Sequence, residues 1–188
     1  MSNRTSEFRV LAIDPTTRGF AFAVMEGPRD LIDWGVKSVR PAKQARCLAG
    51  VAAQITLFAP SVIVLEDTAK RGSRRCLRVR RLIDAIRNLA VRAGVRTRLI
   101  SRRQVKNAFA TSGATTKHQI AVAIAEQLPE LADRLPPYRN SWMSEDYRMN
   151  IFDAVALALA FFALREERRL KRMVAKHHEN KTAANRRN

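Results

Sequence analysis

The chain has 188 residues, 46% of them hydrophobic, and a formal net charge of +18 from 35 Lys and Arg against 17 Asp and Glu. Its length and apolar content suit one globular domain with an appended segment, and exclude disorder throughout. The excess positive charge opposes compaction and calls for a polyanionic partner, nucleic acid before anionic membrane.

The apolar run Val10 to Ile13 predicts a strand buried on both faces, closed by Asp14 and stopped by Pro15, which lacks a backbone donor. Thr16 to Gly19 is a turn and Phe20 to Met25 a second strand. A turn over residues 26–30 leads to a third strand, Leu31 to Val39, completing an antiparallel meander. Pro41 opens a helix with a stripe at Leu48, Val51, Ala52, Ile55 and Phe58. Val62 to Leu65 is a fourth, buried strand ending in Glu66 and Asp67, and the preceding helix points to a crossover to a parallel neighbour. After a basic loop, Thr68 to Ser73, a helix is expected from Arg74 to Ala93, ended by Gly94. A fifth strand at Thr97 to Ser101, a short helix from Arg102 to Phe109 and a helix capped by Thr115 or Thr116 follow. Pro129 to Trp142 reads as a loop. The last helix starts between Ser144 and Arg148, passes through Asp153 and reaches about Val174. The expected division is an α/β domain over residues 8–175 and a basic, disordered tail over 176–188.

Cys47 and Cys76 show neither pairing nor metal spacing and read as free thiols of a reducing compartment. The first eight residues hold no apolar core of signal-peptide length, and the run Ala154 to Leu164 is too short to span a bilayer. The expectation is a soluble cytoplasmic, nucleoid-associated protein with no membrane partner. His118 is expected at the surface, beside Lys117 at a helix start.

Three carboxylates stand in apolar settings. Asp14 and Glu66 close the two buried strands, and lie at the same end if those strands are parallel. Asp153 interrupts the stripe of Ile151, Phe152, Val155, Leu157 and Leu159. Three acids converging without basic partners repel one another, and divalent cations resolve that repulsion. Hard oxygen donors suit Mg²⁺, with Mn²⁺ as substitute. Two such ions about 4 Å apart clamp the attacking and leaving oxygens of a phosphodiester. In this reading Asp14 bridges both ions, and Glu66 and Asp153 each complete one.

The order of elements and the spread of Asp14, Glu66 and Asp153 resemble the ribonuclease H-like superfamily, and more closely the RuvC-type Holliday junction resolvases. Ile13-Asp14-Pro15 with Arg18, then Glu66, is similar to that family's strand motifs. Arg103-Gln104-Val105-Lys106, Ser112-Gly113 and Lys117 resemble a family stretch, and Asp153-Ala154-Val155-Ala156-Leu157-Ala158 the family's terminal catalytic helix. The resemblance runs from Val10 to about Phe162 and implies a five-stranded mixed sheet flanked by helices. It also implies that Lys106 and Lys117 contact DNA near the scissile phosphate, neutralising charge on the developing oxyanion. Two departures stand out. Where the family places a second Asp one turn before the one matching Asp153, this chain has Asn150. Asp146 is available, but two turns back, roughly 10 Å along a helix. The aromatic residue that bacterial members carry after the fourth strand has no counterpart between Asp67 and Arg75. Lys70, Arg71, Arg74 and Arg75 replace its stacking by phosphate contact in this reading.

From Lys70 to Arg103 thirteen Lys or Arg face one acid, Asp84, and this run, including Arg78, reads as a phosphate track. The sequence thus points to a Mg²⁺-dependent endonuclease acting on branched DNA, four-way junctions first, as a homodimer whose twofold axis supplies paired cuts. Its rivals are a flap, fork or transposition-related nuclease on the same scaffold, a catalytically weakened branched-DNA-binding protein, and a basic RNA-associated protein.

Overall fold

The computed structural model describes residues 8–39, 44–69, 75–140, 142 and 146–185, with side chains through His177. Five strands, β1 (Val10–Thr16), β2 (Gly19–Gly27), β3 (Asp30–Ser38), β4 (Val62–Glu66) and β5 (Arg96–Ile100), form one sheet in the order β3-β2-β1-β4-β5. β1, β2 and β3 pair antiparallel, and β1, β4 and β5 pair parallel. The helices are α1 (Gln44–Phe58), α2 (Leu77–Arg92), α3 (Arg102–Ala108), α4 (Lys117–Gln127) and α5 (Met149–Asn185).

Alternation along the strands sends successive side chains to opposite faces. Leu11, Ile13, Phe20, Phe22, Val24, Ile63 and Leu65 join Cys47 and Val51 of α1 and Val79, Leu82, Ile83, Ile86 and Ala90 of α2. Val10, Ala12, Ala21, Ala23, Val62 and Val64 face the other way, onto α4 and α5. Small residues meet on this second face, Ala12, Ala21 and Ala23 from the sheet and Ala154, Ala158 and Ala160 from α5, all fully buried. This explains why the apolar run of α5 is rich in alanine: short side chains on both surfaces let the helix approach the strands closely.

Several boundaries differ from expectation. Pro15 does not stop β1, which continues to Thr16 with Pro15 opposite Phe20. The parallel pairing of β1 with β4 ends at Ala12, so Pro15 sits where one strand edge is unpaired and its missing donor costs nothing there. The hairpin closes at Gly19, whose φ of +148° suits glycine and whose missing side chain leaves room for the Lys37 carbonyl. α2 begins at Leu77 and α5 at Met149, and α5 runs on to Asn185, past the end expected near Val174. The loop expected from Pro129 contains a 3-10 turn over Pro129–Arg134. His118, expected at the surface, is half-buried, with Nε2 3.2 Å from the Pro136 carbonyl and its ring edge-on to Tyr138. Pro41, Lys70, Arg71, Arg74 and Ser144 lie outside the described residues. Cys47 is buried and Cys76 exposed, both as free thiols. Among the described residues, no helix is long and apolar enough to cross a membrane.

Candidate active site

A cavity of about 220 Å³ opens at the carboxyl ends of β1 and β4, under the start of α5. Its polar lining is Asp14, Glu66, Arg75, Arg102, Lys106, Lys117 and Asp153, over an apolar floor that includes Ile100, Ile120 and Phe152. Strand parity puts the two sheet carboxylates there. Asp14 follows Val10 and Ala12, and Glu66 follows Val62 and Val64, on the face that α5 covers. Parallel pairing, with Val10, Leu11 and Ala12 against Val62, Ile63 and Val64, brings both to the same end of the sheet. Asp153, one turn into α5, completes the three.

The two lysines enter from separate helices. Ser101 caps α3 with a capping box to Gln104, and Thr116 caps α4 with another to Gln119. Lys106 lies in the last turn of α3, and Lys117 is the first residue of α4. Both are exposed at the mouth of the cavity. Lys117 Nζ stands 2.7 Å from Asp153 Oδ2.

The acids have basic partners after all. Arg75 donates from Nη2 to Asp14 Oδ1, from Nε to Glu66 Oε2 at 2.5 Å and from Nη1 to the Pro15 carbonyl at 3.4 Å. Arg102 donates from Nε to Glu66 Oε1 at 3.1 Å. The premise of three acids without cations is therefore corrected: long side chains from outside the strands reach in and neutralise them. Arg75, placed on the phosphate track by the sequence, is turned into the cavity and its side chain is only 19% exposed. Arg78 is exposed on α2. Neither Asn150 nor Asp146 is among the residues lining the cavity. Asp146 precedes α5 and accepts from the Arg148 backbone N–H at 2.9 Å and from its Nη2 at 2.6 Å.

Burial sets the electrostatics. Asp14 is completely buried, and desolvation pushes its pKa up to about 7; Arg75 and Lys117 pull it down, while Asp153 and Glu66 push it further up. Burial acts on Glu66 in the same direction, but Arg75 and then Arg102 outweigh it and hold the carboxyl below its ordinary value. Burial works against the charge on Arg75, yet Asp14 and Glu66 overcome it and hold the proton more firmly than usual.

Sequence reasoning missed Arg75 and Arg102 as carboxylate partners. For Arg102 a signal existed, because Glu66 pairs with Ile100 and so places residue 102 just past the same sheet end. For Arg75 none did, since its approach depends on the path from β4 into α2.

The donor set fits a hard divalent cation. It consists of carboxylate oxygens, and Asp14 Oδ2 is buried with no hydrogen-bond partner among the described residues. No three Asp, Glu, His or Cys side chains among the described residues already converge as a ligand group. The cations of Arg75 and Lys117 hold the acids in the arrangement seen.

No family model and no curated protein matches the sequence. Solved structures do match. A meander continued by two parallel strands, with a closing helix over the sheet, makes this a ribonuclease H-like fold. Within that class it is the fold of the RuvC-type resolvases. Thermus thermophilus RuvC aligns with a TM-score of 0.61 and 22% identity over 85% of this chain and 96% of that one. The T. thermophilus RuvC complex with a Holliday junction substrate gives 0.58 and 21% over the same shares. Ydc2, the yeast mitochondrial Holliday junction resolvase, gives 0.62 and 16% over 92% of this chain and 85% of its own.

Proposed function

We propose that the chain is a divalent-metal-dependent endonuclease that cuts branched DNA, with four-way junctions as its preferred substrate. The observation that carries this reading is the cavity that joins Asp14, Glu66 and Asp153, with Lys106 and Lys117 at its mouth. Of the solved proteins of the same fold, RuvC is seen in complex with a Holliday junction substrate and Ydc2 is a Holliday junction resolvase, which supports the choice of substrate.

Asp14, Glu66 and Asp153 are the residues to hold Mg²⁺ or Mn²⁺, which when bound would supply charge for the phosphate oxygens and activate water. The chain's own contribution is positioning. Two strand ends and a helix fix the carboxylates relative to one another. The apolar floor of Ile100, Ile120 and Phe152 excludes bulk water and strengthens each charge above it. Lys106 and Lys117 meet the scissile phosphate at the mouth, where their ammonium groups stabilise the charge that grows on its oxygens. Exposed arginines of α2, Arg78 among them, draw the duplex in without reading its sequence. Two copies related by a twofold axis would cut a four-way junction at paired positions.

The test is incubation of the chain with a synthetic four-way junction, a flap, a fork and a linear duplex in Mg²⁺ or Mn²⁺. Junction-selective cutting is expected, abolished by Asp14→Asn with junction binding retained. Equal cutting of flaps, forks and junctions would give the substrate to the rival nuclease reading. Tight junction binding with no cutting in either metal would leave a DNA-holding protein, a reading favoured by the pairing of Asp14 and Glu66 with Arg75.

A further inference from the structure

Asp14 and Glu66 lie side by side, one of them completely buried. Two such carboxylates do not stay ionised in a poorly solvated site without a compensating charge. Arg75 provides it from within the chain. Its planar fork reaches Asp14 Oδ1 and Glu66 Oε2 together, the geometry that suits guanidinium to carboxylates. Yet the fit is incomplete, because Asp14 Oδ2 remains buried with no hydrogen-bond partner among the described residues.

A divalent cation makes a different demand on the same atoms. It takes carboxylate oxygens at short range, about 2.0–2.1 Å for Mg²⁺. Asp14 Oδ1 and Glu66 Oε2 each have a second lone pair, but an ion bound to them would stand beside the guanidinium, and the two cations repel each other where water screens them little.

We propose that Arg75 is the resident counter-ion of this site and competes with the divalent cation for Asp14 and Glu66, holding the metal-free site together and withdrawing when the ion binds. This rests on the function proposed above and concerns how its metal is taken up. Arg75 acts here as a positioning residue, through the two carboxylates. Removing its charge has two effects of opposite sign. The metal-free fold loses stability, since Asp14 and Glu66 then face each other with less compensation. Metal binding tightens, since the competitor is gone. An arginine with only a structural role produces the first effect without the second.

The experiment uses the whole chain without DNA, as wild type, Arg75→Ala, Arg75→Gln and Asp14→Asn. Mn²⁺ binding is followed by the electron paramagnetic resonance of the free ion, and melting temperature is measured in EDTA and in Mn²⁺. Arg75→Ala and Arg75→Gln are expected to half-saturate at a Mn²⁺ concentration at least about tenfold lower than wild type, within the range of ordinary coupling between two ligands. Both should melt lower than wild type in EDTA and recover in Mn²⁺. Arg75→Gln keeps a polar side chain, so it serves if Arg75→Ala does not fold. Equal or weaker Mn²⁺ affinity in folded Arg75→Gln overturns the competition. If wild type binds Mn²⁺, Asp14→Asn does not, and the Arg75 variants match wild type, only the competition is wrong. If none of the four proteins binds Mn²⁺, the competition and the metal-dependent function both fail.

Discussion

Asp14 is the most deeply buried acid of the cavity. It combines complete burial, an ion pair and two neighbouring acids. Its folded-state pKa, raised from 3.8 to about 7, fixes a sign. Between those values the folded protein binds the proton more firmly than the unfolded chain does. Stability contributed by this group therefore falls as pH rises through the window. Asn carries no proton to lose. The stability of Asp14→Asn relative to wild type should accordingly improve by about 2–3 kcal/mol from pH 5 to pH 8 in EDTA. Glu66, held below its ordinary value, acts in the opposite sense: its stability is present above that ordinary value and is lost only as pH falls. Urea denaturation of both proteins at the two pH values measures the difference, and an unchanged gap would show that Asp14 titrates normally.

At the scale of elements, the β1–β2 hairpin holds Asp14 in place. A Cβ on Gly19 would collide with the Lys37 carbonyl, and the residue also needs φ of +148°. Gly19→Ala should cost on the order of 3 kcal/mol, through strain and displacement of β3 together. Gly113, with φ of +71°, has open space where a Cβ would stand and meets only the conformational penalty. Gly113→Ala should cost about 1 kcal/mol. Chemical denaturation separates the two, and equal losses would mean that the hairpin yields to the clash. The elements themselves are largely legible in the sequence. Continuous apolar runs ending in Asp14 and Glu66 mark β1 and β4, and the intervening α1 makes them parallel neighbours. Thr116 announces α4 by its capping box with Gln119. The inward turn of Arg75 is not legible, because a long side chain can lie on either side of a loop and only the folded path decides. Asp146 misleads for a related reason. Helical spacing does not apply to it, since it lies before α5 and accepts from Arg148.

For the whole molecule, the far end of α5 adds charge without adding to the core. The cores on both faces of the sheet lie within residues 8–164. Beyond them α5 carries Arg165, Arg168, Arg169, Lys171, Arg172 and Lys176, and residues 171–177 are all exposed. Truncation after Lys171 should leave the melting temperature without DNA within about 2 °C of wild type, since little apolar area is removed from the core. It should weaken DNA binding and lower the slope of log affinity against log salt, by up to about one unit per lost phosphate contact. A large fall in melting temperature would show that the helix end packs on the domain. Salt titrations on one junction substrate read the second part.

The two free thiols differ in a useful way. Cys47 is buried beneath the sheet and its pKa is raised, chiefly by that burial, while Cys76 is exposed next to Arg75. Under native conditions a maleimide dye should attach once, at Cys76, and a second time only after denaturation. The chain therefore carries a natural labelling position beside its carboxylates, and fluorescence from a dye placed there would follow movement of Arg75 in real time with no substitution at all.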